Sequence, residues 1–357
     1  ALAPSTNGLS TLVIDRRPPA RVSTAASTAL LQWEIDTPLI RLAEGIGFER
    51  ARAAWQRSFK AVQALGGLVH RRGIACDLAP RQALYLPGNT LDPAQLLEEG
   101  RMRASIGLPS IALSAGEVKA RAGIDRACAL LSNQVADVDP VLLAEGVLMQ
   151  ARRAGCRVYA PCELNEVRPG LDKVAMGTRD GFEIEAKHLV FATGYELAHG
   201  VPTRGHRRTS TWALATPPQP QLLWSRGDLI WEAATPYLYI RTTADGRVVA
   251  GGEDEAFDDE AKRDALLPAK TKALQEKLRG LLPQLDVTAD YVWAGTFGES
   301  DTGLPSIGPI PGMANCHAVL GYGGNGFTFG MIAAQVIAAA LLGKTDPDAE
   351  LFAFSDS

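Results

Sequence analysis

Glycines 321, 323, 324 and 326 in GYGGNGFTFG stand directly before an apolar helical stretch. Such glycines permit an unusual backbone. A helix starting there presents N–H donors and a partial positive charge to whatever lies in front of it. That is chemistry for negative charge, although a plain glycine-rich lead-in to a helix has the same composition. The segment STAAST, residues 23–28, offers hydroxyls and backbone N–H groups of Ser23, Thr24, Ser27 and Thr28, which can bond phosphate oxygens without steric obstruction. A hydroxyl-rich surface loop is the alternative. Ala192-Thr193-Gly194 follows an apolar run, where small residues either let a backbone approach a ligand closely or simply make a turn. Tyr237-Leu238-Tyr239-Ile240-Arg241 alternates, so both tyrosines and the arginine share one face of a strand.

Composition narrows the field. The 357 residues are 46% hydrophobic and 21% charged, with a net charge of −4, so the chain has no basic face for nucleic acid and no polybasic membrane anchor. The Ala-rich run from Met331 to Leu342 falls short of the about 20 apolar residues that a bilayer requires and reads as a buried helix. Charges at Asp15, Arg16 and Arg17 interrupt the opening apolar segment too early for a secretory signal. The five cysteines are scattered without CxxC spacing, and the five histidines show no HxxxH or HExxH. Neither a disulfide framework nor a metal site is expected, which points to a reduced, cytoplasmic protein whose redox chemistry would come from an organic cofactor.

The elements that position these segments follow from periodicity. Leu9 to Asp15 reads as a short buried strand ending in an acid. Apolar spacing beyond Pro38 predicts a helix to about Ala64, ended by Gly66-Gly67. Asp139-Pro140 opens a helix over Val141–Ala154, and Gly155 closes it before a strand from Arg157 to Ala160. Lys173–Gly177 and Phe182–Ala186 read as a hairpin around Asp180-Gly181. His188 to Ala192 suits a central strand of a parallel sheet. Residues 210–293 are β-rich, with one charged helix between about Asp259 and Leu282. A final helix runs from about Phe327 to Leu342.

In their order and spacing, LVIDRR (12–17), STAAST (23–28), VFATGYE (190–196) and GLPSIGPIPG with GYGGNGFTFG (303–330) resemble the glycine/D-amino-acid oxidase (DAO) family of FAD-dependent oxidoreductases. The resemblance covers essentially the whole chain, including YLYIRTTADGRVVAGGEDE. It implies an α/β fold, with a Rossmann-like FAD-binding domain over 1–75, 130–209 and 294–357. A β-rich α+β substrate domain would take 76–129 and 210–293. Asp15 would meet the ribose hydroxyls, where an acidic strand end is the other reading, and Arg16 the adenosine end. Ser23, Thr24, Ser27 and Thr28 would run beside the pyrophosphate into the flavin. Leu164 would offer a backbone group to the adenine, and Thr193 and Gly194 a close approach to the cofactor. Gly323, Gly324, Asn325, Gly326 and Phe327 would set the helix N-terminus at the flavin's N1–C2=O edge.

The family begins with a strand and GxGxxG, whereas Ala1 falls near the end of the following helix, so the chain reads as N-terminally truncated and weak or absent FAD binding is expected. Val22 stands where the family has glycine, and a β-branched residue resists positive φ. Phe297 takes the place of an arginine that pairs with substrate carboxylates in several relatives. That leaves Arg241, with Tyr239 beside it, as the candidate substrate group, or else as a solvated sheet-face arginine. Gln32, Trp33 and Glu34 would face the flavin or else pack. The activity implied is oxidation of the C–N bond of an amine or amino acid, with oxygen or an electron carrier as acceptor. Oxidation of 2-hydroxy acids, or a non-enzymatic fragment without FAD, are the alternatives.

Overall fold

The computed structural model describes residues 1–196, 198 and 200–354. The chain opens with α1 (Leu2–Thr6), β1 (Leu12–Ile14), α2 (Ser23–Ala26) and β2 (Leu30–Leu31). β1 is shorter than expected and only half-buried. The helix expected beyond Pro38 is two helices, α3 (Leu39–Ile46) and α4 (Phe48–Arg72), parted at Gly47 with φ +86°. α4 runs through Gly66-Gly67 and ends at Gly73 in the left-handed conformation. Its buried stripe of Val62, Leu65 and Val69 continues past the two glycines. Packing there outweighs a propensity cost of about 1 kcal/mol per glycine.

β3 (Ala79–Leu86), α5 (Pro93–Ser105), β4 (Ser110–Ser114), α6 (Ala115–Ala122) and β5 (Cys128–Asp137) follow. Capping boxes open α5 (Asp92 with Gln95) and α6 (Ser114 with Glu117). α7 (Pro140–Arg153) starts where Asp139 accepts the Val141 and Leu142 N–H groups. After β6 (Arg157–Tyr159) and β7 (Leu164–Arg168), the hairpin of β8 (Val174–Thr178) and β9 (Glu183–Ala186) leads to β10 (Leu189–Phe191). The β-rich stretch holds β11 (His206–Ala215), β12 (Leu229–Glu232), β13 (Leu238–Thr242) and β14 (Val248–Glu255). The charged helix is split into α8 (Glu260–Ala265) and α9 (Leu267–Leu281), because Pro268 cannot continue the first hydrogen-bond ladder. β15 (Tyr291–Ser300), β16 (Ser306–Pro309), β17 (Cys316–Leu320) and α10 (Gly326–Leu341) complete the chain.

The fold is α/β. β1 lies parallel to β6, and β10 parallel to β17 in the order β10-β17-β16. β10 therefore stands at an edge rather than at the centre of its sheet, and Leu189 and Val190 are only half-buried. A mixed nine-stranded sheet runs β15-β11-β14-β13-β12-β3-β5-β2, with β4 also on β5. β5 and β15 cross the expected junctions at residues 130 and 294. One core joins α3, α4 and α10 around Trp33, Trp55 and Phe329; another packs α9 against the large sheet around Trp212. No described helix is long and apolar enough to cross a membrane.

Candidate active site

The ends of β1 and β10 meet through charge. The Asp15 carboxylate accepts the Arg17 backbone N–H at 2.9 Å, an Asx-type turn that tightens the strand end. Arg16 and Arg17 both pair with Glu196, just beyond Thr193-Gly194. Burial opposes ionisation of Glu196, but the hydrogen bonds from Arg17 and Arg16 outweigh it and hold the carboxyl below its ordinary value. The Thr193 hydroxyl donates to the Glu196 carbonyl at 2.6 Å, and Gly194 takes φ +68°. Asp15, Arg16, Thr193 and Gly194 thus share one corner. Leu164, at the start of β7, is half-buried in the cluster containing Phe191.

The STAAST segment is gripped by the large sheet. Trp293 on β15 donates to the Ala26 carbonyl at 2.9 Å, and Arg241 on β13 donates from Nε to the Thr28 carbonyl. Ser27 accepts the Ala29 N–H at 3.1 Å, while Ser23 and Thr24 begin α2. Val22, preceding them, adopts φ +59° and ψ −120° despite its β-branch. Arg241 also lies 3.9 Å from Asp137, which accepts from Arg81. Its guanidinium is therefore engaged inward rather than offered to a ligand. Tyr239 shares its strand face, with its ring centroid 5.3 Å from that of Tyr237.

The glycine-rich turn is built against residues 32–36. Gly324 donates its N–H to the Asp36 carboxylate at 2.7 Å, and the Asp36 N–H donates to the Asn325 side chain at 3.0 Å. Asn325 donates in turn to the Glu34 carbonyl at 2.8 Å. Gly323 holds φ +53°, and a Cβ there would stand 2.7 Å from the Asp36 carboxylate. Gly326 starts α10, and Phe327 is half-buried beside Leu31 and Leu143. Gln32, Trp33 and Glu34 are all buried: Trp33 donates to the Asn133 carbonyl, and Glu34 sits 3.9 Å from Arg103. Phe297 is buried as well.

Several groups at this turn were not foreseen individually. Tyr195 donates to the Gly323 carbonyl at 3.2 Å and lies against Tyr322, with centroids 5.2 Å apart. Tyr237 Oη would be 3.5 Å from a Cβ on Gly324. Asp36 is open to solvent yet surrounded by protein, and desolvation pushes its pKa up to about 6 against the help of the Gly324 N–H. Burial pushes Asp254, on β14, up to about 7; the Thr211 hydroxyl opposes the shift, while Glu299 and Asp36 add to it. Burial likewise raises Tyr195, Tyr237 and Tyr239. Tyr195 and Tyr322 lie in motifs already singled out, as Asp254 does in GGEDE. No alternation marks Asp254, since β14 is buried from Val248 through Glu253. A small crevice between the end of β10 and Gly321 is lined by Gly194, Tyr195, His206, Arg207, Arg208, Gly298, Leu320 and Gly321. No group of acids, histidines and cysteines among the described residues could hold a metal ion.

Solved structures show the same fold. The chain is similar to glycine oxidase from Geobacillus kaustophilus, with 17% identity, TM-score 0.81 and coverage of 100% of this chain and 94% of that one. L-proline dehydrogenase from P. horikoshii aligns with TM-score 0.74 and 14% identity over 99% of this chain and 92% of that one. Iminodiacetate oxidase from Chelativorans sp. BNC1 gives TM-score 0.72 and 19% identity over 97% and 94%. No curated protein matches the sequence. The DAO family model, described as FAD dependent oxidoreductase, matches residues 1–340. The chain belongs to the DAO family of FAD-dependent oxidoreductases.

Proposed function

We propose that the chain oxidises the C–N bond of an amine or amino acid, using FAD held between the β1–β10 corner and the Gly323–Phe327 turn. The observation that carries this reading is the turn itself. Gly323, where a Cβ would press on the Asp36 carboxylate, and Gly324, where one would be tight, form a cradle at the start of a 16-residue helix whose first N–H groups lack intrahelical partners. This fits the electron-rich edge of a reduced flavin. Glycine oxidase, L-proline dehydrogenase and iminodiacetate oxidase, whose folds match, are named for amine-bearing compounds.

Bound FAD would supply a two-electron sink for a hydride from the carbon bearing the nitrogen, leaving an imine that water hydrolyses. The chain's own residues bind and orient. Asp15 and Arg16 would take the adenosine ribose, and Leu164 the adenine. Ser23, Thr24, Ser27 and Thr28 would line the phosphates, with Thr193 and Gly194 permitting close approach. Gly323, Gly324, Asn325, Gly326 and Phe327 would meet the flavin. Arg241 holds the Thr28 carbonyl and so positions the phosphate-side loop, while Tyr239 lines the substrate cleft. The FAD part would span 1–75, 130–209 and 294–357, and the substrate part 76–129 and 210–293.

The test is the visible absorption spectrum of the purified protein after incubation with FAD and removal of excess, followed by anaerobic mixing with amines, amino acids and 2-hydroxy acids. Retained flavin that amines or amino acids bleach supports the reading. A protein that retains no flavin, or whose flavin only hydroxy acids reduce, overturns it.

A further inference from the structure

The residues around the glycine-rich turn bear on which amines would be held there, given the oxidation just proposed. Two tyrosine pairs converge on the glycine-rich turn. Tyr195, paired with Tyr322, is anchored to the Gly323 carbonyl at 3.2 Å, and Tyr237, paired with Tyr239, reaches toward Gly324. The Asp36 carboxylate lies on the same turn, 2.7 Å from the Gly324 nitrogen. Asp254 stands on β14 two residues beyond Gly252, the partner of Leu238 between the two tyrosines, and burial first and its charge second raise the hydroxyls of both. Its Oδ1 is enclosed and has no hydrogen-bond partner among the described residues.

The neighbouring arginines and lysines are paired. Arg241 is bonded to Thr28 and faces Asp137; Arg207 pairs with Glu299 and Asp301; Lys270 and Lys277 both pair with Glu253. Phe297 is buried and offers no charge. A substrate carboxylate beside the turn would meet Asp36 and Asp254, while Arg207 and Arg208 of the adjoining crevice are already paired with Glu299, Asp301 and Asp258, so a like-charge penalty remains. An ammonium would meet tyrosine faces and carboxylates together, and each of these attracts a cation.

We propose that the cleft is a tyrosine-and-carboxylate cage for an alkylammonium group, so that the substrate is an amine with no carboxylate on the carbon next to its nitrogen. The raised carboxyls of Asp36 and Asp254 agree: both lack compensating positive charge, and an entering cation would restore their ionisation.

Isothermal titration calorimetry tests this with benzyltrimethylammonium chloride and sodium benzoate, two non-oxidisable probes of similar size and opposite charge. Each is titrated into the protein with and without FAD at pH 8. The ammonium probe should bind at least about tenfold more tightly than benzoate, and Asp254→Asn should weaken it by about tenfold while FAD affinity stays unchanged. Equal or tighter binding of benzoate, binding of neither probe, or an Asp254→Asn protein that holds the ammonium as well as the wild type would each overturn the proposal. If Asp254→Asn fails to fold, the comparison of the two probes on the wild-type protein decides alone. Cation binding without flavin retention would remove the proposed oxidation and leave the cage standing. Flavin retention with a preference for benzoate would do the reverse.

Discussion

The Asp36 carboxylate and the Gly324 backbone N–H meet at 2.7 Å, joining the loop after β2 to the start of α10. The contact exists because Gly323 carries no Cβ: one placed there would stand 2.7 Å from the same carboxylate, on a backbone at φ +53°. Gly323→Ala should therefore displace Asp36 and distort the turn, lowering stability by about 1–2 kcal/mol. FAD affinity should fall at least about tenfold, the equivalent of one lost charge-assisted hydrogen bond. Denaturant unfolding and flavin titration measure the two effects. An alanine variant that binds FAD like the wild type would remove the turn from the cofactor site.

Val22 stores strain. Its φ of +59° with ψ −120° is a region that L residues with a branched β-carbon rarely enter, and the side chain is exposed, so little packing compensates. Val22→Gly should stabilise the protein by about 1 kcal/mol, the relief of strain exceeding the entropic cost of glycine. Thermal unfolding shows this as a higher midpoint; a lower one would mean that the valine makes contacts worth more than its strain.

The local structure around the candidate site is legible where it depends on short runs with strong local meaning. The glycines before α10, the Asp139-Pro140 helix start and the β8–β9 hairpin all depend on neighbours within a few residues. The unreadable part depends on distant ones. Tyr239 and Arg241 do share a strand face, but only the Thr28 carbonyl, 213 residues away, shows where the guanidinium is engaged. Asp36 carries no local mark in the sequence; its contacts with Gly324 and Asn325 come from tertiary packing. Gly66-Gly67 misleads because a buried stripe on α4 overrides local propensity.

A buried ion pair supports the same region from beneath. Glu99 accepts the backbone N–H groups of Leu39 and Ile40 at 2.9 Å each and pairs with Arg103 at 2.7 Å, both side chains fully buried. Arg103 also lies over the Trp55 ring at 4.6 Å. Glu99→Ala would leave a buried guanidinium and two helix-start donors without partners, so a loss of about 3–5 kcal/mol is expected. Chemical denaturation measures it, and a loss under about 1 kcal/mol would show that water compensates the guanidinium.

Asp36 and Asp254 set a pH dependence. Asp36 and Asp254 have folded values of about 6 and 7 against an ordinary 3.8, each raised first by burial, with Glu299 adding to both. From about pH 4 to 7 the unfolded chain has released these protons while the folded protein keeps them, so their contribution to stability falls as pH rises and levels off near pH 8. Glu34 and Asp137 shift in the same direction, also by burial. Asp254→Asn should stabilise the protein by about 1–2 kcal/mol at pH 8, after discounting for its partial exposure, and by almost nothing near pH 4. Unfolding of both proteins across that range is the measurement, and a constant difference would assign the effect to something other than ionisation.

The 288-residue separation between Asp36 and Gly324 also has a consequence for biosynthesis. At translation rates of roughly 5–20 residues per second, Asp36 waits roughly 15–60 s for its partner to be made. Throughout that interval the Asp36 loop lacks its Gly324 and Asn325 partners, although the hydroxyl-rich segment meets Arg241 and Trp293 earlier. Closure of the Asp36–Gly324 contact is therefore among the last events of synthesis, and a message cut short before residue 324 yields a chain with half of the candidate site.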